Sequence, residues 1–273
     1  MQKIIENISS PELWTALESN MIAFWSAYGR ASGSTLHATA DVVWFYTGIQ
    51  DPLSNGVLSA KLKPEDVKAT VDTLQAKIAE QGAPAFWWVG PQSKPDNLGS
   101  LLEQHGLKPA GEVPGMAIDL DLVDHKPEMV PNFTIQKVSN PEMQALWART
   151  VAVGTGFPDA VAEMMASIEA TLTDRFYQAQ HRYIGLLDGV PVATSALVLD
   201  SGVAGIYAVA TIPEVRRKGL GRIMTLIPLL EAKQLGYRVG TLQASAMGYP
   251  IYKKIGYKDV GNYRLYLQYS QRP

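Results

Sequence analysis

The chain has no cysteine. Disulfides, thiolate metal sites and a cysteine nucleophile are therefore excluded, and the reading leans towards a reducing compartment. Nor is there an excess of charge of one sign: 24 Lys+Arg stand against 26 Asp+Glu. A nucleic-acid or membrane-surface partner has no electrostatic support. No apolar run approaches the ~18 residues of a membrane span. The first stretch, MQKIIENISSPELW, mixes charged and polar residues with apolar ones and lacks the apolar core of a secretion signal. A cytoplasmic protein is expected. The four histidines, His37, His105, His125 and His181, are scattered with no pair at ligand spacing, so no metal site is expected. A Gly-x-Ser-x-Gly elbow is missing too, which argues against a serine hydrolase.

What is present is 273 residues, 47% hydrophobic and 18% charged, a composition normal for globular protein and long enough for two domains. The most informative stretch is Ile206 to Arg222, IYAVATIPEVRRKGLGR. An apolar, β-prone run (Ile206, Tyr207, Val209) meets a Pro-Glu break, then three basic residues, then Gly219-Leu220-Gly221 and a helix-like segment. A strand that turns through glycines into a helix leaves unpaired backbone N–H groups pointing at one spot, where the helix dipole attracts anions. The spacing excludes two common phosphate loops. The P-loop needs four residues between its glycines followed by Gly-Lys-Ser/Thr, and the dinucleotide fingerprint needs a third glycine where this chain has Met224.

Arg216-x-x-Gly219-x-Gly221, preceded by Val209-x-x-x-Pro213, resembles the pyrophosphate loop of the GNAT superfamily of acyl-CoA N-acyltransferases. The resemblance covers roughly residues 133 to 269, in the order strand, two helices, hairpin, strand-loop-helix, strand, helix, strand. Phe133–Val138 reads as a strand; Asn140 caps a helix opened by Pro141; Pro158–Leu172 is a second helix. Tyr183–Leu187 and Pro191–Leu199 form a hairpin on Asp188-Gly189, Arg238–Ala244 is a strand, Tyr249–Lys254 a short helix and Asp259–Leu267 the closing strand. In the first half, Ser10 and Pro11 open a helix; Asp41–Ile49, Gly56–Leu62, Ala85–Val89 and Glu112–Leu120 read as strands; Pro64–Gln81, closed by Gly82, and Asn97–His105 read as helices. Trp87 and Trp88 alternate on one strand, with one ring expected in the core and the other open to a substrate cleft. Residues 121 to 132 turn acidic and proline-bearing, as a linker does.

Part of the first half recurs in the second. Gly106, Lys108 and Gly111 reappear as Gly256, Lys258 and Gly261, and Gly56 and Pro64-Glu65 as Gly205 and Pro213-Glu214. Glu65 to Gly82 spans 18 residues, whereas Glu214 to Gly236 spans 23 and holds the glycine loop. The expected architecture is therefore α/β, with two GNAT-like domains each built on a mixed sheet flanked by helices. Residues 1–120 form a degenerate copy without the loop, 121–132 a linker, and 133–273 the catalytic copy.

The resemblance implies acetyl-CoA as cosubstrate and an amine of a small molecule or peptide as acceptor. By the same resemblance, Val209, Ala210 and Thr211 bind the pantetheine arm through backbone groups. Arg217, Lys218, Gly219, Leu220, Gly221 and Arg222 hold the pyrophosphate, with Arg216 a further candidate for the nucleotide's charge. Ser245 stands where an Asn commonly contacts the CoA arm, and Tyr252 where a tyrosine protonates the leaving thiolate. The residue 150 positions before Tyr252 is Leu102, in keeping with an inactive first half. Many members carry a Glu on the strand that here reads Gly205-Ile206-Tyr207-Ala208, which leaves the general base unassigned. That absence keeps a non-catalytic CoA-binding module open beside the N-acetyltransferase. Pro228 falls inside the helix after the loop, at a typical cost of ~3 kcal/mol.

Overall fold

The computed structural model describes residues 3–123, 127–172 and 180–269. In chain order the regular elements begin with α1 (Leu13–Gly29), β1 (Thr35–Ala38), β2 (Val42–Tyr46), β3 (Asn55–Ala60), α2 (Val67–Gln81), β4 (Ala85–Val89), α3 (Leu98–Gln104) and β5 (Lys108–Asp119). They continue with β6 (Phe133–Lys137), α4 (Pro141–Thr155), α5 (Asp159–Thr171), β7 (Gln180–Leu187), β8 (Val190–Asp200) and β9 (Val203–Thr211). Last come α6 (Leu220–Gln234), β10 (Val239–Gln243), α7 (Tyr249–Ile255) and β11 (Lys258–Gln268). Local signals placed most of them. Asn140 Oδ1 accepts from the Met143 amide at 2.8 Å, and Asp188-Gly189 turns the β7–β8 hairpin with φ of 51° and 81°. Ser10 acts three positions before α1 begins, its hydroxyl accepting from the Glu12 amide at 3.3 Å. β1 was not expected: Thr35-Leu36-His37-Ala38 alternates over only four residues and is mostly exposed, and it forms by pairing with β2.

The chain divides into two compact units that are not sequential. One comprises Met1–Ala23 with Gly115–Val260, the other Phe24–Pro114 with Gly261–Pro273. This departs from the sequential division at residues 121–132, of which 124–126, with His125, lie outside the described residues. The reason is a choice of partner that sequence pattern does not encode. β10 takes β5 as its antiparallel neighbour, with Gln243 opposite Gly115, and β4 takes β11, with Trp88 opposite Leu265.

In the first unit the strands run β5-β10-β9-β8-β7-β6. One core cluster joins α6 to the sheet through Leu220, Met224, Leu226, Leu229, Ile206 and Leu242. A smaller one fastens the N-terminal segment through Ile5, Leu13, Ala16, Ala117, Val203 and Val239. In the second unit the order is β1-β2-β3-β4-β11-β5, with α2 packed through Val67, Val71 and Leu74 beside Trp87, Leu98, Leu102 and Tyr266.

The sequence repeat has a structural counterpart. β3 and β4 pair in parallel only at Gly56↔Phe86 and Val57↔Trp87, and β9 and β10 only at Ala204↔Gly240 and Gly205↔Thr241. Gly56 and Gly205 thus hold like places. Gly82 and Gly236 follow α2 and α6 with φ of 80° and 91°. What differs is the opening past each pair. In the second unit the backbone at Lys94 bridges this region, its N–H donating to Ala60 O at 2.9 Å and its carbonyl accepting from Leu62 N at 3.1 Å. Trp87 and Trp88 are both buried, contrary to expectation: Trp87 Nε1 donates to Gln268 Oε1 at 2.9 Å, and Trp88 packs edge-on to Tyr263.

Candidate active site

The candidate site lies in the first unit, where β9 parts from β10. Past Gly205 the parallel pairing stops, although β9 continues to Thr211. On its other side β9 meets β8 with Tyr207 opposite Ala196 and Ala210 opposite Thr194, so Ala208 and Val209 together face Ser195. This is a β-bulge, and Ala208 sits at φ 48°, a left-handed conformation that costs a residue with a Cβ of order 1–3 kcal/mol. Thr194 Oγ1 holds it by donating to Ala208 O at 2.8 Å. The bulge disrupts the ladder at Ala208–Val209, beside the opening.

After Thr211 the chain makes a 3-10 turn, Pro213–Val215, and enters the glycine loop. Arg217 and Gly219 adopt φ of 63° and 84°, and Gly219 is the N-cap of α6 with no side chain to satisfy the first amides. A Cβ on Gly221 would meet only Ile251 Cδ1 and Thr211 Oγ1, at 3.8 and 3.9 Å. Nothing inside the protein requires glycine at 221, but a group approaching the helix end from outside would. Arg217, Lys218 and Arg222 are exposed, and among the described residues none has a carboxylate partner. Arg216 behaves differently. Its Nε donates to Thr211 O at 3.1 Å and its Nη2 to Gly154 O at 3.0 Å, so it braces the loop against β9 and the last turn of α4.

Opposite the loop, α7 carries Tyr252. Its ring is 8% exposed and edge-on to Tyr257, with centroids 5.8 Å apart, and its hydroxyl has no hydrogen-bond partner among the described residues. Burial pushes its pKa up to about 12. Gly248 makes room for it, since a Cβ there would lie 2.6 Å from the Tyr252 ring. Gly248→Ala should therefore shift the phenol, lowering kcat while leaving acetyl-CoA affinity in place; unchanged kcat would show that the ring position does not matter. The Ser245 hydroxyl accepts from the Gly248 amide at 3.1 Å, which fixes the turn into α7 and leaves its own proton free to donate.

The structure thus brings Val209, Ala210 and Thr211, the 217–222 loop, Ser245 and Tyr252 into one unit and removes Arg216 from the nucleotide-facing set. Sequence reasoning missed how α1 meets β9, where the Tyr207 hydroxyl donates to buried Asn20 Oδ1 at 2.7 Å. The one available signal was Gly205, a glycine inside an otherwise apolar strand. Among the described residues no group of three His, Cys, Asp or Glu could hold a metal ion, and no helix is long and apolar enough to cross a membrane.

Residues 153–257 match the acetyltransferase (GNAT) family. The chain carries a GNAT domain, and the matched stretch contains the bulged strand, the glycine loop and Tyr252. Its fold is similar to that of a GCN5-related N-acetyltransferase from Kribbella flavida (19% identity, 93% of this chain and 95% of that one, TM-score 0.66). It also resembles a GCN5-related N-acetyltransferase from Sphaerobacter thermophilus (16%, 88% and 76%, TM-score 0.61) and a tandem GNAT protein from the clavulanic acid biosynthesis pathway (11%, 92% and 88%, TM-score 0.64). At these identities the likeness is one of fold. No curated protein matches the sequence.

Proposed function

We propose that this protein is an N-acetyltransferase that moves an acetyl group from acetyl-CoA to an amine of a small molecule or peptide by direct transfer. The observation that carries the reading is the bulge at Ala208–Val209, where β9 leaves its ladder beside a helix N-terminus opened by Gly219 and Gly221. When bound, acetyl-CoA supplies an activated thioester. The α6 amides from Leu220 onward and the bare glycines fit its pyrophosphate, with Arg217, Lys218 and Arg222 adding charge. Backbone groups of Val209, Ala210 and Thr211 bind the pantetheine arm as a neighbouring strand would, and Ser245 has a hydroxyl proton to offer it. The Val209 N–H stabilises charge developing on the carbonyl oxygen. Tyr252 donates its proton to the departing sulfur, for which a phenol held neutral by burial is suited.

The test is release of free thiol from acetyl-CoA in the presence of a panel of amines, with the acetylated product identified by mass. Transfer to any member supports the reading, and tight binding of acetyl-CoA with no turnover of any amine contradicts it. With its phenol shifted to about 12, Tyr252 should add no alkaline limb to kcat below that pH. A limb centred below 10, the phenol's ordinary value, that disappears in Tyr252→Phe would refute the assignment.

A further inference from the structure

Thr211 ends β9, and the transfer chemistry above uses only its backbone. The strand decides where its side chain points. Gly154 of α4 lies against one face of the strand end, since a Cβ there would meet Ala210 Cβ at 2.8 Å and Thr211 N at 3.0 Å. Residues alternate across a strand, so the Thr211 side chain stands on the face opposite Ala210. Its hydroxyl there lies 3.9 Å from the place a Cβ on Gly221 would take, in the first turn of α6. Thr211 is half-buried, and among the described residues its hydroxyl has no hydrogen-bond partner. Thr225, one turn further along α6, is different: its hydroxyl donates to Gly221 O at 2.8 Å.

The backbone behind Thr211 is clamped. Arg216 Nε donates to Thr211 O at 3.1 Å, while Nη2 donates to Gly154 O at 3.0 Å. Gly154 O is one of the last carbonyls of α4, which no helical amide reaches, so the guanidinium also answers the negative end of that helix. Threonine is β-branched and stiff at χ1, so fixing its backbone aims its hydroxyl. A donor held in this way loses little freedom when a ligand arrives, whereas the long exposed side chains of Arg217, Lys218 and Arg222 lose more. An oxygen settling in the space that the missing Gly221 side chain leaves comes within reach of the hydroxyl.

We propose that Thr211 Oγ1 donates a hydrogen bond to an oxygen of the pyrophosphate held at the α6 N-terminus, and that Arg216 is the positioning residue that aims it. This rests on the acyl-transfer reading and deepens it, adding one fixed side-chain donor to a cradle otherwise made of backbone amides and exposed cations. Arg216 acts through Thr211 and touches no part of the nucleotide.

The experiment measures the affinity of acetyl-CoA, and of 3′-phosphoadenosine 5′-diphosphate by its displacement of acetyl-CoA, for the parent, Thr211→Val, Arg216→Met and the double variant. The second probe keeps the pyrophosphate and lacks the pantetheine arm. Valine keeps the β-branched shape and removes only the hydroxyl. Thr211→Val should weaken both probes by about 10–100-fold, the weight of one hydrogen bond to a charged group. Arg216→Met should weaken both as well, and should add little to Thr211→Val in the double variant, because the two act on one contact. If Arg216→Met does not fold, Arg216→Lys, which can reach only one of the two carbonyls, takes its place. Parent-like affinity of Thr211→Val for acetyl-CoA overturns the contact and leaves the acyl-transfer reading standing. A loss for acetyl-CoA with the nucleotide unaffected also overturns it, since the hydroxyl then serves the pantetheine arm. Losses that add in the double variant overturn the part given to Arg216. A folded parent that binds neither probe overturns the acyl-transfer reading together with the contact.

Discussion

Replacing Tyr252 by phenylalanine should lower kcat by about 10²–10⁴-fold, the usual weight of general acid catalysis, while acetyl-CoA binds as before. The ring stays, so the edge-on contact with Tyr257 and the space cleared by Gly248 are retained, and only a hydroxyl without a partner is removed. Because that hydroxyl makes no bond within the described protein, its loss should not weaken the fold. A drop in kcat with unchanged melting temperature and unchanged acetyl-CoA affinity assigns the proton donor. A variant within twofold of the parent would show that the thiolate leaves unassisted or takes its proton elsewhere. Leu102, at the matching place in the other half, is wholly buried and offers no such group.

Arg182→Met should destabilise the first unit by about 3–5 kcal/mol, as removal of one partner from a buried ion pair does. Arg182 and Glu169 have side chains 1% exposed and meet at 2.5 Å, and the guanidinium lies 4.2 Å over the Trp147 ring. Methionine fills much of the volume but strands the Glu169 charge away from water. Adding Glu169→Gln should recover much of the loss, since both charges are then gone. Urea unfolding measures this directly; a loss below about 1 kcal/mol, the range of an exposed pair, would mean the pair is solvated in the native protein.

Features encoded by a few neighbouring residues were legible in the sequence. The glycine loop, the Asn140 cap and the Asp188-Gly189 turn all follow from local backbone demands, and the structure has each where the residues put it. The repeat was legible because the special positions of a fold, Gly56 with Gly205 and Gly82 with Gly236, outlast its packing residues. Long-range choices were not. Nothing in β10 announces that β5 will be its neighbour, and nothing in Asn20 announces Tyr207, 187 residues on. Ala208 reads as an ordinary strand residue, because its left-handed φ is imposed by the β8–β9 register rather than by its side chain. Arg216 matched a binding motif, yet its guanidinium is committed to two carbonyls, a fate that motif spacing alone could not reveal.

The most direct test of the central claim is calorimetric titration of acetyl-CoA into the parent and a Gly219→Trp, Gly221→Trp double variant. One site per chain in the parent, lost in the folded variant, is the predicted result, because indoles would cover the α6 amides and fill the space left at 221. A folded parent that binds no acetyl-CoA, or a variant that binds it as tightly as the parent, would contradict the assignment of this loop.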